Sequence, residues 1–316
     1  MMRLAREIAV LSAFAACAVA LSAARADLVC ATWNLKWFPS GRKDVRASAA
    51  EERVTLALTA ETLSDAIRSI PACREDEVSP AGATDGIILF LQEMRDARCC
   101  TNLVRRVGIP GLEVAVASRF ISGMRPVWQQ VCIATTLPVI ESGFEPWNRL
   151  EGVDIPRGFA YAVLDLGGGM RVACFSVHLK SNMNFSGTEL EHQENIYKRE
   201  VSAGQVLAKY RDIRRRHGEM RVIVAGDFNT DENEEFVSEA TLRSFYGAHF
   251  RDAFTGLKPE DRVTRPASGG YGDTTFDHIL YRGFGRLTGR YIVPGQPFSD
   301  HNLVIVELEP KPAGVW

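Results

Sequence analysis

RVIVAGDFNT, residues 221–230, reads as a strand that is apolar on both faces and stops abruptly at polar chemistry. Val222 to Ala225 are β-branched or small, the composition of a strand covered above and below. Gly226 lets the backbone approach a neighbour closely. Asp227 and Asn229 stand two residues apart, so in extended chain they share one face while Phe228 turns back to the core. A strand that needs cover on both faces needs layers on both sides, and the rest of the chain supplies them. LVCATW (28–33), GIILFLQ (86–92), VCIATT (131–136), FAYAVLDL (159–166), RVACFSVHL (171–179), TFDHILY (275–281) and NLVIVEL (302–308) are short runs of the same kind. LDLGGGMRV reads as a strand, a glycine turn and a returning strand.

Helical patterns interleave with these runs. Ser48 caps a segment reaching about Ile70, residues 190–217 form a long amphipathic stretch ended by Gly218, and residues 233–246 form a shorter one. The expected fold class is therefore α/β: a four-layer sandwich of two packed, mixed β-sheets flanked by helices. No linker or internal repeat divides the chain, so residues 27–316 are expected to form one domain.

Residues 1–26 have the pattern of a secretory signal. Arg3 and Arg6 precede an apolar run from Ile8 to Ala24, and Ala24-Arg25-Ala26 fits a small-x-small cleavage site. Cleavage near Ala26 would make the protein secreted or periplasmic, with no stable membrane insertion. The 316 residues carry a net charge of −2, and removal of three Arg and one Glu with the signal leaves −4 on 290 residues. Such a balance exerts no global pull on nucleic acid, so polyanion binding must come from a local cationic patch or a bound metal. Six cysteines remain, at 30, 73, 99, 100, 132 and 174. Export permits disulfides, and Cys73 with Cys99 or Cys100 is the expected pair. Cys30, Cys132 and Cys174 lie in strand runs as buried thiols.

Polar residues recur where apolar strands stop, the place where α/β proteins keep ligand sites. Asn34 follows LVCATW. Glu93 continues the face of Ile87, Leu89 and Leu91, which is costly unless a cation meets it. His178 and Lys180 share the i, i+2 spacing of Asp227 and Asn229. Asp300 and His301 precede the last run and lie in a turn. His192, His217, His249 and His278 read as ordinary surface or satisfied core histidines.

In chain order, the strings TWNL, LQE, VHLKS, GDFN, FDHIL and SDHN resemble the motifs of the endonuclease/exonuclease/phosphatase superfamily, the group of deoxyribonuclease I. The resemblance spans Trp33 to His301 and implies the same four-layer fold and a metal-dependent phosphodiesterase. By that resemblance Asn34 and Glu93 hold the metal with Asp300 beside it, and the oxygen ligands suit Mg²⁺, with Mn²⁺ or Ca²⁺ as alternatives, rather than zinc. His178 and His301 match the histidines flanking the scissile phosphate, and Asp277 matches the carboxylate orienting His301. Asp227 and Asn229 match the pair that positions water and a phosphate oxygen. The group's Glu partner for the first histidine has its nearest equivalent in Gln130, which leaves His178 without its expected carboxylate. The Trp-Cys-Asp-Arg motif of the inositol-phosphatase subgroup is missing.

Arg95 resembles a groove-reading arginine after the metal Glu, and Arg157 a second phosphate-contacting one; with Lys180 they are the expected substrate-binding residues. The resulting expectation is a monomeric, low-specificity DNA endonuclease, with RNA as a second substrate. A sphingomyelinase-type lipid phosphodiesterase is the alternative. It needs exposed aromatics, for which Trp33, Trp37 and Phe38 are candidates. An inactive binding module is the third reading, and six intact motifs speak against it.

Overall fold

The computed structural model describes residues 27–70, 73, 86–232, 236, 238–295 and 297–311, so the expected signal segment at 1–26 lies outside the described residues. The first half of the chain supplies β1 (Leu28–Phe38), α1 (Ala49–Arg68), β2 (Ile87–Met94), α2 (Ala97–Val107) and β3 (Glu113–Ala117). A small hairpin follows, β4 (Ile121–Ser122) with β5 (Arg125–Pro126), then β6 (Gln130–Thr135) and β7 (Val139–Pro146). The second half supplies β8 (Gly158–Gly167), β9 (Met170–His178), α3 (Glu189–His217), β10 (Arg221–Asp227), α4 (Thr241–Gly247) and β11 (Arg251–Asp252). It ends with β12 (Asp277–Arg282), β13 (Phe284–Val293) and β14 (Leu303–Pro310).

Two six-stranded sheets result, in the orders β13-β14-β1-β2-β6-β3 and β11-β12-β10-β9-β8-β7. Both are mixed: β1 with β2 and β9 with β10 run parallel, and the other neighbours run antiparallel. The period of two along each buried strand sends alternate side chains to opposite layers. From β1, Cys30 enters the core between the sheets with Phe90, Ala162, Ile223 and Val306, while Val29 and Ala31 meet Leu63, Ile67 and Leu103 of α1 and α2. A third cluster joins Val222 and Val224 of β10 to Val206, Tyr210 and Phe245 of α3 and α4. The order helix, sheet, sheet, helix is the expected sandwich.

The helix reading holds at α1 and α3. Ser48 caps α1 with a reciprocal box, in which its hydroxyl accepts from the Glu51 N–H and the Glu51 carboxylate accepts from the Ser48 N–H at 2.7 Å. The helix expected over 233–246 is shorter: Thr241–Gly247 is helical, Ser238 to Ala240 are not, and 233–235 with 237 lie outside the described residues. The expected bridge from Cys73 to Cys99 or Cys100 is not formed. Cys99 and Cys100 are buried free thiols on α2. Among the described residues no helix is long and apolar enough to cross a membrane.

Candidate active site

The ladder brings the chemistry together. In register, Asp227 at the end of β10 pairs with His178 on β9 to one side and with Asp277 on β12 to the other. Gly226 makes this approach achievable: at φ +144° it lies so near the next strand that a Cβ would stand 2.0 Å from the Val177 carbonyl oxygen. In the facing sheet Asn34 pairs with Gln92, which places Glu93 at the same edge. The turn carrying Asp300 and His301 is tied to β1 by the Ser299 hydroxyl, which donates to the Asn34 carbonyl at 2.6 Å and accepts from the His301 N–H. The Trp33 indole N–H donates to the His301 carbonyl at 2.9 Å.

Backbone strain collects at this edge. Of the six non-glycine residues with positive φ among the described residues, four are Lys36, Trp37, Glu93 and Asn229. Such conformations persist only where the surroundings over-determine them. Here the bulge after Asn34 aims two N–H groups inward: Lys36 donates to Asn34 Oδ1 at 3.0 Å and Trp37 to Glu93 Oε2 at 2.9 Å. The Asn34 amide nitrogen donates to Glu93 at 3.2 Å and to Asp227 at 2.9 Å, linking the two sheets. Asn229 donates its N–H to Asp227 Oδ1 at 2.9 Å.

The two histidines have opposite electrostatics. His301 Nδ1 lies 2.7 Å from Asp277 Oδ2, with Nε2 3.9 Å from Asp227. Burial alone would lower its pKa, but the Asp277 and Asp227 charges outweigh burial and raise it to about 10, so the ring is an imidazolium at neutral pH. His178 has the reverse surroundings. Burial comes first, then Arg157 and His301, and together they hold it well below the ordinary histidine range. One Arg157 nitrogen lies 3.1 Å from each ring nitrogen, and His178 Nε2 is 3.5 Å from Asp227 and 3.7 Å from Glu93. Burial also lifts Asp227 to about 6, with Asp277 adding and the His301 charge and the Asn34 hydrogen bond opposing.

Asn34, Glu93, His178, Arg157, Asp227, Asn229, Asp277 and His301 thus form one connected, largely buried group. Asp300 joins it through the chain and through His301, and its carboxylate is 3.2 Å from the Lys36 ammonium. Lys180 stands near Arg157 and donates to the Ser181 carbonyl, with burial and the Arg157 charge lowering its pKa. Arg95 departs from expectation. It is 6% exposed, its donors go to Glu52 at 2.8 and 3.0 Å and to Asp96 at 2.8 Å, and it serves as a brace between α1 and the start of α2. Gln130 does not reach His178; it closes the hairpin base through Ser118, Phe120 and Val127. The neighbour of His178 is Arg157, itself held by Gln129 at 3.0 Å and the Leu179 carbonyl at 2.9 Å. Neither Gln129 nor Lys36 was singled out from sequence, although the i, i+2 rule applied to Asn34 points to Lys36. Trp33 and Phe38 are buried, which removes two of the three aromatics that lipid docking required.

The donor set suits a hard divalent cation. One ligand atom each from Asp227, Asp277 and His301 lies within 4.8 Å of the others, a group able to hold an ion. His301 Nδ1 engages Asp277 Oδ2, whereas Asp277 Oδ1 is buried without a hydrogen-bond partner among the described residues. Asn34 and Glu93 offer oxygens at the same edge, and among the described residues the Glu93 carboxylate accepts hydrogen bonds only from the neutral Asn34 amide and Trp37 N–H, so a cation there would be matched.

The family model described as "Endonuclease/Exonuclease/phosphatase family" matches residues 31–301. Curated proteins offer no sequence match to the chain. Among solved structures, truncated Caenorhabditis elegans TDP2 is similar at 16% identity and a TM-score of 0.56, over 90% of this chain and 98% of that one. D. rerio TDP2 complexed with single strand DNA product aligns at 17% identity and a TM-score of 0.55, over 90% and 99%. The human Nocturnin catalytic domain with bound sulfate aligns at 14% and 0.57, over 90% and 93%. At these identities the likeness is one of fold.

Proposed function

The chain belongs to the endonuclease/exonuclease/phosphatase family, and from that premise we propose that it is a divalent-metal-dependent phosphodiesterase that cleaves DNA and acts outside the cytoplasm after removal of residues 1–26. The observation that carries the reading is the meeting of His178, Asp227, Asp277 and His301 with Asn34 and Glu93 at one strand edge. A dead scaffold would have no need of a strained, buried polar network there.

Water attack on a phosphodiester requires a field for the phosphoryl oxygens, a positioned nucleophile and proton transfer to the leaving alkoxide. Glu93 and Asn34, with Asp300 nearby, would hold a divalent ion, which supplies positive charge to the phosphoryl oxygens when bound. Asp227 and Asn229 orient the attacking water, and the Asp227 carboxylate accepts its proton. Asp277 fixes the tautomer and charge of His301, whose free Nε2 hydrogen donates to the phosphate or its leaving oxygen. Arg157 adds a fixed guanidinium beside His178. DNA as substrate is supported by the structural likeness to a TDP2 complexed with a single strand DNA product.

The test is nicking of supercoiled plasmid by the purified chain. Activity should appear with Mg²⁺ or Mn²⁺, vanish in EDTA, and fall by about 10²–10⁴-fold in His301→Ala, the range of one acid–base group. Wild-type rates in a His178→Ala/His301→Ala variant, or release of choline phosphate from sphingomyelin without any DNA cleavage, would refute the reading.

A further inference from the structure

Away from the strand edge, α1 and α2 enclose a cleft of about 350 Å³ lined by Arg53, Leu56, Asn102, Arg105 and Arg106. Three guanidiniums face one space, and Arg53, Arg105 and Arg106 make no hydrogen bond or ion pair among the described residues. All three are exposed, unlike the buried arginines, which are spent on protein acceptors: Arg95 on Glu52 and Asp96, Arg157 on Leu179 and Gln129, Arg199 on Glu239. Solvent screens these exposed charges, but three cations gathered at one cleft make a local positive field that favours an anion there. The helix dipole accounts for cations at the C-terminal turn of α2, where Arg105 and Arg106 lie. It gives no reason for Arg53, which comes from the other helix.

The position of the cleft suggests its occupant. Helix α2 begins four residues after Glu93, and Arg95 clamps its start to Glu52 in the first turn of α1. At the far end Arg68 donates to the Gly108 carbonyl, so both helices run away from the catalytic edge side by side. Exposed Arg98 stands at the near end of this path, and Arg105 is two turns further on, about 10 Å along the axis. That span is longer than one phosphate covers. Helix α2 holds no acidic residue to interrupt it.

We propose that the α1–α2 cleft is a second phosphate-binding site, which holds the backbone of a polynucleotide strand running beyond the catalytic edge. The inference rests on the nuclease reading above and deepens it: Arg53, Arg105 and Arg106 clamp phosphates, Asn102 donates to them, and Leu56 offers an apolar floor to a sugar. Recognition of this kind is electrostatic and independent of sequence. It supplies locally the attraction that a chain of net charge −2 lacks overall.

The test compares wild type with Arg53→Ser/Arg105→Ser/Arg106→Ser and with the matching triple Lys variant. Fluorescence anisotropy in EDTA gives the affinity for 20-nucleotide and 4-nucleotide DNA across a salt series. The Ser variant should bind the 20-mer at least tenfold more weakly, with a salt slope smaller by about two, since each lost phosphate contact removes roughly 0.7–0.9. The Lys variant should keep the slope, and the 4-mer, too short to span edge and cleft, should bind all three proteins alike. Equal 20-mer affinity and slope in wild type and Ser variant would overturn the proposal. So would calorimetric loss of pyrophosphate binding with unchanged 20-mer binding, which would make the cleft a site for free anions. Hydrolysis of bis(p-nitrophenyl) phosphate by the wild type with Mn²⁺ reports the catalytic reading separately: its absence would sink the nuclease assignment, whereas the affinity ratio between variants judges the cleft.

Discussion

His278 illustrates how one buried residue can be spent on position rather than on chemistry. Its Nδ1 is 2.6 Å from Asp252 and its Nε2 3.1 Å from the Thr230 carbonyl, so it spans the strand end that presents Asp227 and Asn229. Burial would lower its pKa, but the Asp252 charge and hydrogen bond outweigh burial and raise it to about 9. A histidine whose folded pKa is raised gives stability that is complete below its unfolded value near 6.5 and is lost as pH climbs through about 9. Urea denaturation should therefore show wild-type stability falling between pH 6.5 and 9 by an amount on the order of 3 kcal/mol from this group. His278→Gln should be weaker at pH 6 and should flatten that decline. Parallel losses in both proteins would show that the pair contributes nothing. The sequence marks His278 only as an ordinary histidine; its partner Asp252 lies 26 residues away and carries no local signal.

At the scale of the element, Gly226 is where strand geometry and chemistry meet. Its φ of +144° and the 2.0 Å approach of a hypothetical Cβ to the Val177 oxygen leave a side chain no room, because backbone cannot give way as a flexible side chain can. Gly226→Ala should cost roughly 3 kcal/mol or more through combined strain and overpacking. It should also lower plasmid nicking beyond the loss of folded protein, as Asp227 is pushed from His178. A melting temperature within 1–2 °C of wild type, about the shift expected for well under 1 kcal/mol, would contradict this. The elements legible in the sequence were those buried on both faces. Six strands escaped the apolar runs: β4 and β5, which have two residues each, and β3, β7, β11 and β13, which are the four edges of the six-stranded sheets. An edge strand needs cover on at most one face, so VIESGFEP and FGRLTGRYIV lack the continuous runs of the centre. Helix α2 was missed for another reason: ARCCTNLVRRV is short and its apolar residues are split by polar ones, although Asp96 caps its start and Gly108 at φ 71° ends it.

For the whole molecule, the sequence motifs named residues that the fold gathers at one edge, including Asp277 beside His301, but not the neighbour of His178. Arg157 beside His178, and Arg95 turned away onto Glu52, depend on contacts between elements far apart in the chain. The thiols belong to the same scale. Cys30, Cys99, Cys100, Cys132 and Cys174 are buried in the layers, and burial pushes the Cys30 and Cys99 pKa values upward, Cys99 to about 12. A thiol protonated and covered reacts slowly. Intact protein should leave these five unmodified by iodoacetamide over minutes, whereas denaturation without reductant should expose at least five to alkylation by mass spectrometry. Fewer than five would reveal a disulfide and a different core.

The pairing of Asp227 with His178 on one side and Asp277 on the other makes the interstrand hydrogen-bond ladder a ruler for the reaction centre. Separations measured by that ruler, near the 4.8 Å strand repeat, do not depend on what the connecting loops contain. Loops facing the substrate are thus free to be lengthened, recharged or exchanged while the reactive groups keep their spacing. A designer could graft a foreign recognition loop between these strands and retune which phosphodiester is chosen. A single residue inserted within Arg221–Asp227 would instead put the wrong face of the strand at its end and silence every substrate at once.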